Sequence, residues 1–97
     1  MAQQIAFLAH RQDDMVAVAV RDVEVGHEEY ASLDSGIRRA IEVLEPIKLG
    51  HKVALVAIPE GTKVVEYGQE VAVATADIAV GALVHVHNVR SARWQLA

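Results

Sequence analysis

Residues 16–26 read VAVAVRDVEVG, and residues 71–81 repeat the pattern as VAVATADIAVG, with seven of the eleven positions identical. In each copy a valine-rich run, typical of a β-strand, leads into a short segment that ends in glycine. A strand that runs into a tight turn explains this pattern, because glycine supplies the backbone freedom that a turn needs. The irregular spacing of the copies does not fit a solenoid. It predicts a compact all-β domain with two related halves.

A shorter relative of the repeat lies between the two copies, at residues 53–61. It contains Pro59-Glu60-Gly61, which predicts a type I turn with Ile58 first, proline second and glycine fourth. Each unit also places a β-branched residue three positions before its glycine, or at the start of its turn. We expect the side chains of Val23, Ile58 and Ile78 to fill the core where each strand turns.

The rest of the chain contains further short apolar runs separated by turn residues. The strands expected are residues 5–9 as a first or edge strand, then 15–20, 53–56, 63–67, 69–75 and 83–89. Seven or eight short strands with turn signals every 8–12 residues are typical of a small barrel or a clip-like fold. The sequence therefore predicts an all-β fold with little helix in a single domain, residues 1–97.

Residues 36–45 fit both a helix and a strand. Ile37, Ile41 and Leu44 have the spacing of one helix face, with a capping residue just before them. The same stretch also alternates as a strand does, with Ile41 and Val43 two positions apart. The β-rich context and the proline that follows favour a mostly extended conformation.

Composition and charge exclude several classes of function. The chain has 97 residues, a formal net charge of −4 and no cysteine. A negative charge argues against nucleic acid or an anionic membrane as a partner. Without cysteine there is no disulfide or thiolate nucleophile, so any metal must be held by nitrogen and oxygen ligands. The first residues do not resemble a signal peptide and no apolar run approaches ~20 residues, so we expect a cytoplasmic protein.

The clearest chemical signal lies in Leu83–Arg90, which reads LVHVHNVR. On a single strand His85 and His87 point to the same face, ~6.6–7 Å apart along the backbone. Two imidazoles at that spacing can tilt onto one metal ion at about 2.0–2.1 Å each. Asn88, on the other face or in the following turn, can both donate and accept hydrogen bonds. This polar row faces either water or a functional site, because it is costly to bury unpaired.

Five stretches occur in an order that resembles the SAF-type, or β-clip, domain of the altronate and galactarate dehydratase family. They are Asp14–Ala19, Gly50–Leu55, Tyr67-Gly68, Ala74–Ile78 and Val84–Asn88. The resemblance covers residues 5–90 and leaves 91–97 as a tail. Two positions depart from the family pattern, because Met15 replaces an asparagine and Glu66 replaces a lysine. In that family the domain is an N-terminal part of a larger enzyme or a separate small subunit.

The resemblance implies β-elimination of water from a sugar acid, assisted by a divalent ion, Fe²⁺ or Mn²⁺. Such a reaction needs a base beside the carboxylate and an acid or Lewis acid for the departing hydroxyl. We expect His85 and His87 to be catalytic residues and metal ligands. Asp14, or else its neighbour Asp13, completes the set of metal ligands if the first turn packs against the last strand. The remaining groups are expected from a large dehydratase-like subunit, so the isolated chain is expected to be inactive.

Further candidates surround this predicted site. Lys52 is a candidate catalytic residue that holds a carboxylate or acts as a desolvated base, or else it is a surface lysine. Arg90 can bind a carboxylate through two hydrogen bonds, or else it is a flanking surface charge. His51 and Asn88 are the other candidate substrate-binding residues. Trp94 either docks on a partner chain or folds back on the domain.

Two other functions fit the same residues. Related two-subunit enzymes eliminate sulfite from sulfolactate, and nothing in the sequence separates hydroxyl from sulfonate as the leaving group. A non-catalytic module that binds a carbohydrate or a protein is the third hypothesis, because the clip fold has unrelated functions. A second copy of the chain is a further candidate partner, with which it would form a homo-oligomer.

Overall fold

The computed structural model describes residues 4–91, which form nine β-strands and no helix. This confirms the predicted all-β fold. The strands are β1 Phe7–Ala9, β2 Val16–Ala19, β3 Gly26–Ser32, β4 Arg38–Val43, β5 Lys52–Ala54, β6 Lys63–Glu66, β7 Gln69–Ala74, β8 Leu83–Val84 and β9 Val89–Ser91. Within residues 4–91 no helix is long and apolar enough to cross a membrane. Trp94 and most of the tail lie outside the described residues, so the docking of Trp94 stays a prediction.

The strands form two sheets. Six strands make the larger sheet in the order β4-β3-β1-β2-β5-β8, and three make the smaller one in the order β6-β7-β9. Strand β1 is parallel to β3 and antiparallel to β2, so it lies inside the sheet. Of the two alternatives expected for residues 5–9, a first strand is confirmed and an edge strand was wrong, because the β3–β4 hairpin adds two strands beyond β1.

The ambiguous region is extended, which confirms the strand interpretation of residues 36–45. Strands β3 and β4 form an antiparallel hairpin with Gly26 opposite Val43 and Ala31 opposite Arg38. Along β4 the side chains of Ile41 and Val43 are buried, and Glu42 between them is exposed. This period of two matches a half-buried strand.

The repeat builds two equivalent corners. At the first corner Val23 forms an isolated bridge with Ile47, and at the second Ile58 forms one with Ile78. All four side chains are at most 3% exposed. The predicted core positions Val23, Ile58 and Ile78 are therefore confirmed, and Ile47 is a fourth member that the repeat did not reveal.

An aspartate fixes each corner by the same hydrogen bond. The Oδ1 atom of Asp22 accepts the backbone N–H of Leu49 at 2.9 Å, two residues after the corner isoleucine. The Oδ1 atom of Asp77 accepts the backbone N–H of Glu60 at 2.8 Å, again two residues after its isoleucine. The two corners are thus related in side chains as well as in backbone, as the sequence repeat predicts.

The turn after Ile58 starts one residue later than expected. The N–H of Thr62 donates to the carbonyl oxygen of Pro59 at 3.1 Å, so Gly61 is the third residue of the turn. Its φ of 85° is the left-handed value that a type II turn requires at that position. The predicted type I turn was wrong, because a glycine in third place favours type II.

Two apolar clusters form the core. The first lies under the larger sheet around Phe7, Val43 and Val53. The second joins the two sheets and contains Val16, Ala54, Ile58, Val64, Ala72, Ala74, Ile78 and Val84. Because β2, β5 and β8 pack on β6 and β7 through this second cluster, both sheets can contribute side chains to one surface.

Candidate functional site

A groove of about 640 Å³ lies where the two sheets meet. Buried apolar side chains form its floor: Val16, Val64, Ala72 and Val84. Four residues that can bind or move charge line it as well: His51, Lys52, His85 and Arg90. We call these four residues the rim. All four were predicted as site residues, and the structure brings them together from two separate segments of the chain.

The segment Leu83–Arg90 is a strand, a turn and a second strand, and not the single strand that was expected. Strand β8 ends at Val84, and the N–H groups of Asn88 and Val89 donate to the carbonyl oxygen of His85 at 2.9 and 3.1 Å. Val84 is buried whereas Val86 is 81% exposed. Two positions that share a strand face would be buried alike, so the predicted alternation was wrong.

Asn88 closes this turn with its own side chain. Its Oδ1 atom accepts the N–H of His85 at 2.9 Å, and its Nδ2 donates to the carbonyl oxygen of Leu83 at 2.8 Å. The residue is buried. Short polar side chains that bond nearby backbone compete with strand formation, which explains why the strand stops here. The geometry gives Asn88 a structural role and does not support the predicted contact with substrate.

The turn separates the two histidines that were predicted to act together. His85 lines the groove and stacks on His51, with ring centroids 4.8 Å apart and an interplanar angle of 18°. His87 is exposed and does not line the groove. Instead of His87, the ring that lies against His85 is therefore that of His51, the residue just before β5.

Asp14 lies in a different corner of the molecule. Its Oδ2 atom accepts the N–H groups of His10 and Arg11 at 2.9 and 3.3 Å, and its Oδ1 accepts the N–H of Tyr67 at 2.7 Å. This turn packs against the β6–β7 hairpin and not against the last strand, as Met15 bonds to Val65. The condition for Asp14 to join a metal site with the histidines is thus not met.

The predicted ligand set does not form a metal centre in this chain. Among residues 4–91 no group of three or more His, Asp or Glu side chains is placed to hold an ion. Asp14 is 3% exposed and both of its oxygens accept backbone hydrogen bonds. The described residues therefore do not fit a divalent ion that is bound by this chain alone.

Lys52 is held by an acidic residue that the sequence analysis did not select. The Nζ atom of Lys52 lies 2.6 Å from the Oε1 atom of Glu66, whose side chain is 10% exposed. Glu66 ends β6 and lies two positions after the buried Val64, so the alternation of β6 turns it inward. That alternation was the signal for an inward-facing carboxylate, but only the folded chain shows which cation it meets.

The rim has the character of a site for a small polar anion. Its fixed charges are the ammonium of Lys52 and the guanidinium of Arg90, and no acidic residue of the described part of the chain lines the groove. A guanidinium can bind a carboxylate through two hydrogen bonds. Each of the two imidazoles has a ring nitrogen that can accept a proton or a hydrogen bond. Together these groups can bind a hydroxy acid and move a proton beside it.

The fold and the groove define a small β-clip domain. Residues 5–92 match the model of a known family, the altronate/galactarate dehydratase SAF domain. The chain belongs to this family. The match confirms the resemblance that the five sequence stretches indicated.

Relatives in this family contain the domain in two settings. The chain is 40% identical to altronate dehydratase of Bacillus subtilis over 82 residues, which are 84% of this chain and 15% of that protein. Its identity to altronate dehydratase of Escherichia coli is also 40%, over 78 residues and again 15% of the relative. By contrast, it covers 98% of (2R)-sulfolactate sulfo-lyase subunit alpha of Chromohalobacter salexigens at 35% identity over 92 residues. The domain therefore occurs within long chains and as a short separate chain.

Proposed function

We propose that this chain is the small subunit or N-terminal domain of a sugar-acid hydro-lyase of the altronate and galactarate type. In this proposal its groove forms part of an active site that a large dehydratase-like chain completes in the cytoplasm. The observation that supports the proposal is the convergence of two imidazoles, an ammonium and a guanidinium on one groove. The family relationship adds support, because long relatives named altronate dehydratase contain the same domain.

Each rim residue can serve one need of a β-elimination. Arg90 binds the carboxylate of the acid, which also favours the negative charge that develops beside it. One imidazole of the stacked pair of His51 and His85 accepts the proton beside the carboxylate and becomes an imidazolium, which then gives the proton to the departing hydroxyl so that it leaves as water. Lys52 donates hydrogen bonds to the hydroxyl groups along the carbon backbone of the sugar acid. The apolar floor limits the number of water molecules that compete for these donors.

Fe²⁺ or Mn²⁺, which the resemblance implies, remains a proposed cofactor of the complete enzyme. The described residues, 4–91, do not fit such an ion by themselves, since both oxygens of Asp14 are engaged and His87 is not among the residues that line the groove.

Reconstitution tests the proposal. The full chain is mixed with a candidate large dehydratase-like chain, and water elimination from altronate and galactarate is measured. We expect activity from the mixture only, with a loss of about 100-fold for His51→Ala and for His85→Ala. His27→Ala, an exposed histidine on β3 outside the groove, is the control and should retain activity within about twofold. A rate equal to that of the large chain alone contradicts the proposal.

A second candidate is favoured by the length match with the sulfo-lyase subunit, of which this chain covers 98%. In that case the same rim assists elimination of sulfite from sulfolactate. Release of sulfite from sulfolactate by the reconstituted pair, with no elimination from altronate or galactarate, would support this candidate over the first.

A further inference from the structure

The net positive charge of the groove is smaller than its lining residues alone indicate. Lys52 and Arg90 are the fixed cations of the lining. With neutral histidines, a groove with both cations free would carry a charge of +2. Glu66 lies just outside the lining and contacts Lys52, so the charge that an incoming anion meets depends on this one ion pair.

The ion pair between Glu66 and Lys52 is expected to persist when a substrate anion enters the groove. The two side chains are 2.6 Å apart, and the Glu66 side chain is 10% exposed, against 38% for Lys52. If Lys52 turned to a substrate anion, the carboxylate of Glu66 would be left buried without its partner, which is strongly unfavourable. The ammonium has three N–H donors, so two remain for neutral hydroxyl groups while one stays on Glu66.

Arg90 has no such partner. It lies on β9, its side chain is exposed, and within residues 4–91 it forms no salt bridge. It is therefore the cation of the rim that can accept a full negative charge. One carboxylate of the substrate can pair with Arg90. A second anionic group of the same substrate can approach only Lys52, whose charge is already neutralised by Glu66.

We propose that Glu66 makes the groove selective for polyhydroxy acids with a single carboxylate over those with a second carboxylate or a sulfonate. The proposal rests on the proposed function, since it assigns the same groove to a sugar acid. Altronate has one carboxylate and galactarate has two, so the two acids named in the family description differ in this property. Glu66 does not touch the substrate in this scheme, and it acts by neutralising Lys52.

The test measures charge selectivity directly. The full chain, labelled with ¹⁵N, is titrated with altronate and with galactarate, and dissociation constants are taken from the amide shifts of groove residues. We expect the wild-type chain to bind altronate more tightly. Glu66→Gln frees the charge of Lys52 with little change in shape. It should shift the ratio of the two constants toward galactarate by about fivefold, as one charge a few ångströms away does in a half-exposed site.

Two further variants separate charge from structure. Glu70→Gln removes an equal charge from the same hairpin, where Glu70 faces Lys63 at 3.6 Å with both side chains more than half exposed. This control should change the ratio by less than about 1.5-fold. The double variant Lys52→Gln/Glu66→Gln restores the wild-type rim charge and should restore the wild-type ratio, even if both acids bind more weakly.

Each outcome of these titrations supports or contradicts the role of Glu66. A ratio that Glu66→Gln leaves unchanged, or that Glu70→Gln changes equally, overturns the role of Glu66 and leaves the proposed function intact. The same holds if the wild-type chain binds both acids equally. If neither acid binds to the wild-type groove at millimolar concentrations, both the inference and the assignment of the groove to a sugar acid are contradicted.

Discussion

Two equivalent segments of the chain have nearly the same sequence but different surroundings. Gly50-His51-Lys52-Val53 leads into β5, and Gly61-Thr62-Lys63-Val64 leads into β6. In both, a glycine with φ near +85° ends a turn, a lysine begins the strand, and a buried valine follows. Lys52 lines the groove and pairs with the inward-facing Glu66, whereas Lys63 pairs across 3.6 Å with the exposed Glu70.

The comparison shows where the candidate site comes from. The repeated turn and strand start place a lysine in the same local geometry twice. Only β5 continues beside β8, which brings His85 over His51. The site therefore depends on what each repeat packs against, and not on the repeated turn alone.

The largest effect is expected at the turn glycines. A Cβ atom on Gly81 would overlap the backbone carbonyl oxygen of Glu42, and the φ of Gly81 is 88°. Gly81→Ala should therefore destabilise the domain by about 3 kcal/mol or more, because the backbone of β4 must move as well as the turn. Urea denaturation followed by circular dichroism measures this loss.

Gly61→Ala is the matched control. Gly61 has a φ of 85°, and no heavy atom beyond its two chain neighbours lies within 4 Å of the place that a Cβ atom would occupy, so only the left-handed conformation is penalised. We expect a loss of about 1–2 kcal/mol. Equal losses at the two glycines would show that the contact between Gly81 and β4 is not tight.

The two lysines should differ next. Lys52→Met leaves the carboxylate of Glu66 inward-facing and without its partner, and it should cost about 1–2 kcal/mol after allowance for the partial exposure of Lys52. Lys63→Met breaks an exposed pair and should cost less than about 0.5 kcal/mol. Thermal unfolding of both variants under one buffer condition measures the difference. A larger loss for Lys63→Met would contradict the unequal burial of the two pairs.

The frame of the fold could be predicted because it is local. Strand alternation places Ile41 and Val43 inward, and the repeat places Val23 and Ile78 at the corners, so short-range patterns were enough. Ile47 was missed because the residues before it do not copy the repeat, although it pairs with Val23. The turn of Pro59 was misassigned by one residue. The prediction relied on the preference of proline for the second place of a turn, whereas in the structure Pro59 is first and Gly61 takes the third place, which type II favours.

The site was harder to predict because it is not local. Four of its residues were selected, but the pairing of His85 with His51 joins positions 34 apart in sequence, and no local pattern indicates it. The amide of Asn88 ends β8 early, so an expected strand spacing between His85 and His87 does not exist. Asp14 shows the same limit, because its carboxylate bonds to the backbone of a distant hairpin.

The smallest effect tests the equivalence of the two corners themselves. Asp22→Ala and Asp77→Ala each remove one exposed hydrogen bond from a side chain to the backbone, at 2.9 and 2.8 Å. Each should cost about 0.5–1 kcal/mol, and the two losses should agree within about 0.3 kcal/mol. Because the two bonds share no partner, the double variant should show the sum of both losses. Urea denaturation of the three variants measures this. The two hydrogen bonds have nearly the same length, so a loss of stability at only one aspartate would contradict the equivalence of the corners. The two corners would then share their sequence and geometry but not the contribution of this bond to the free energy of unfolding.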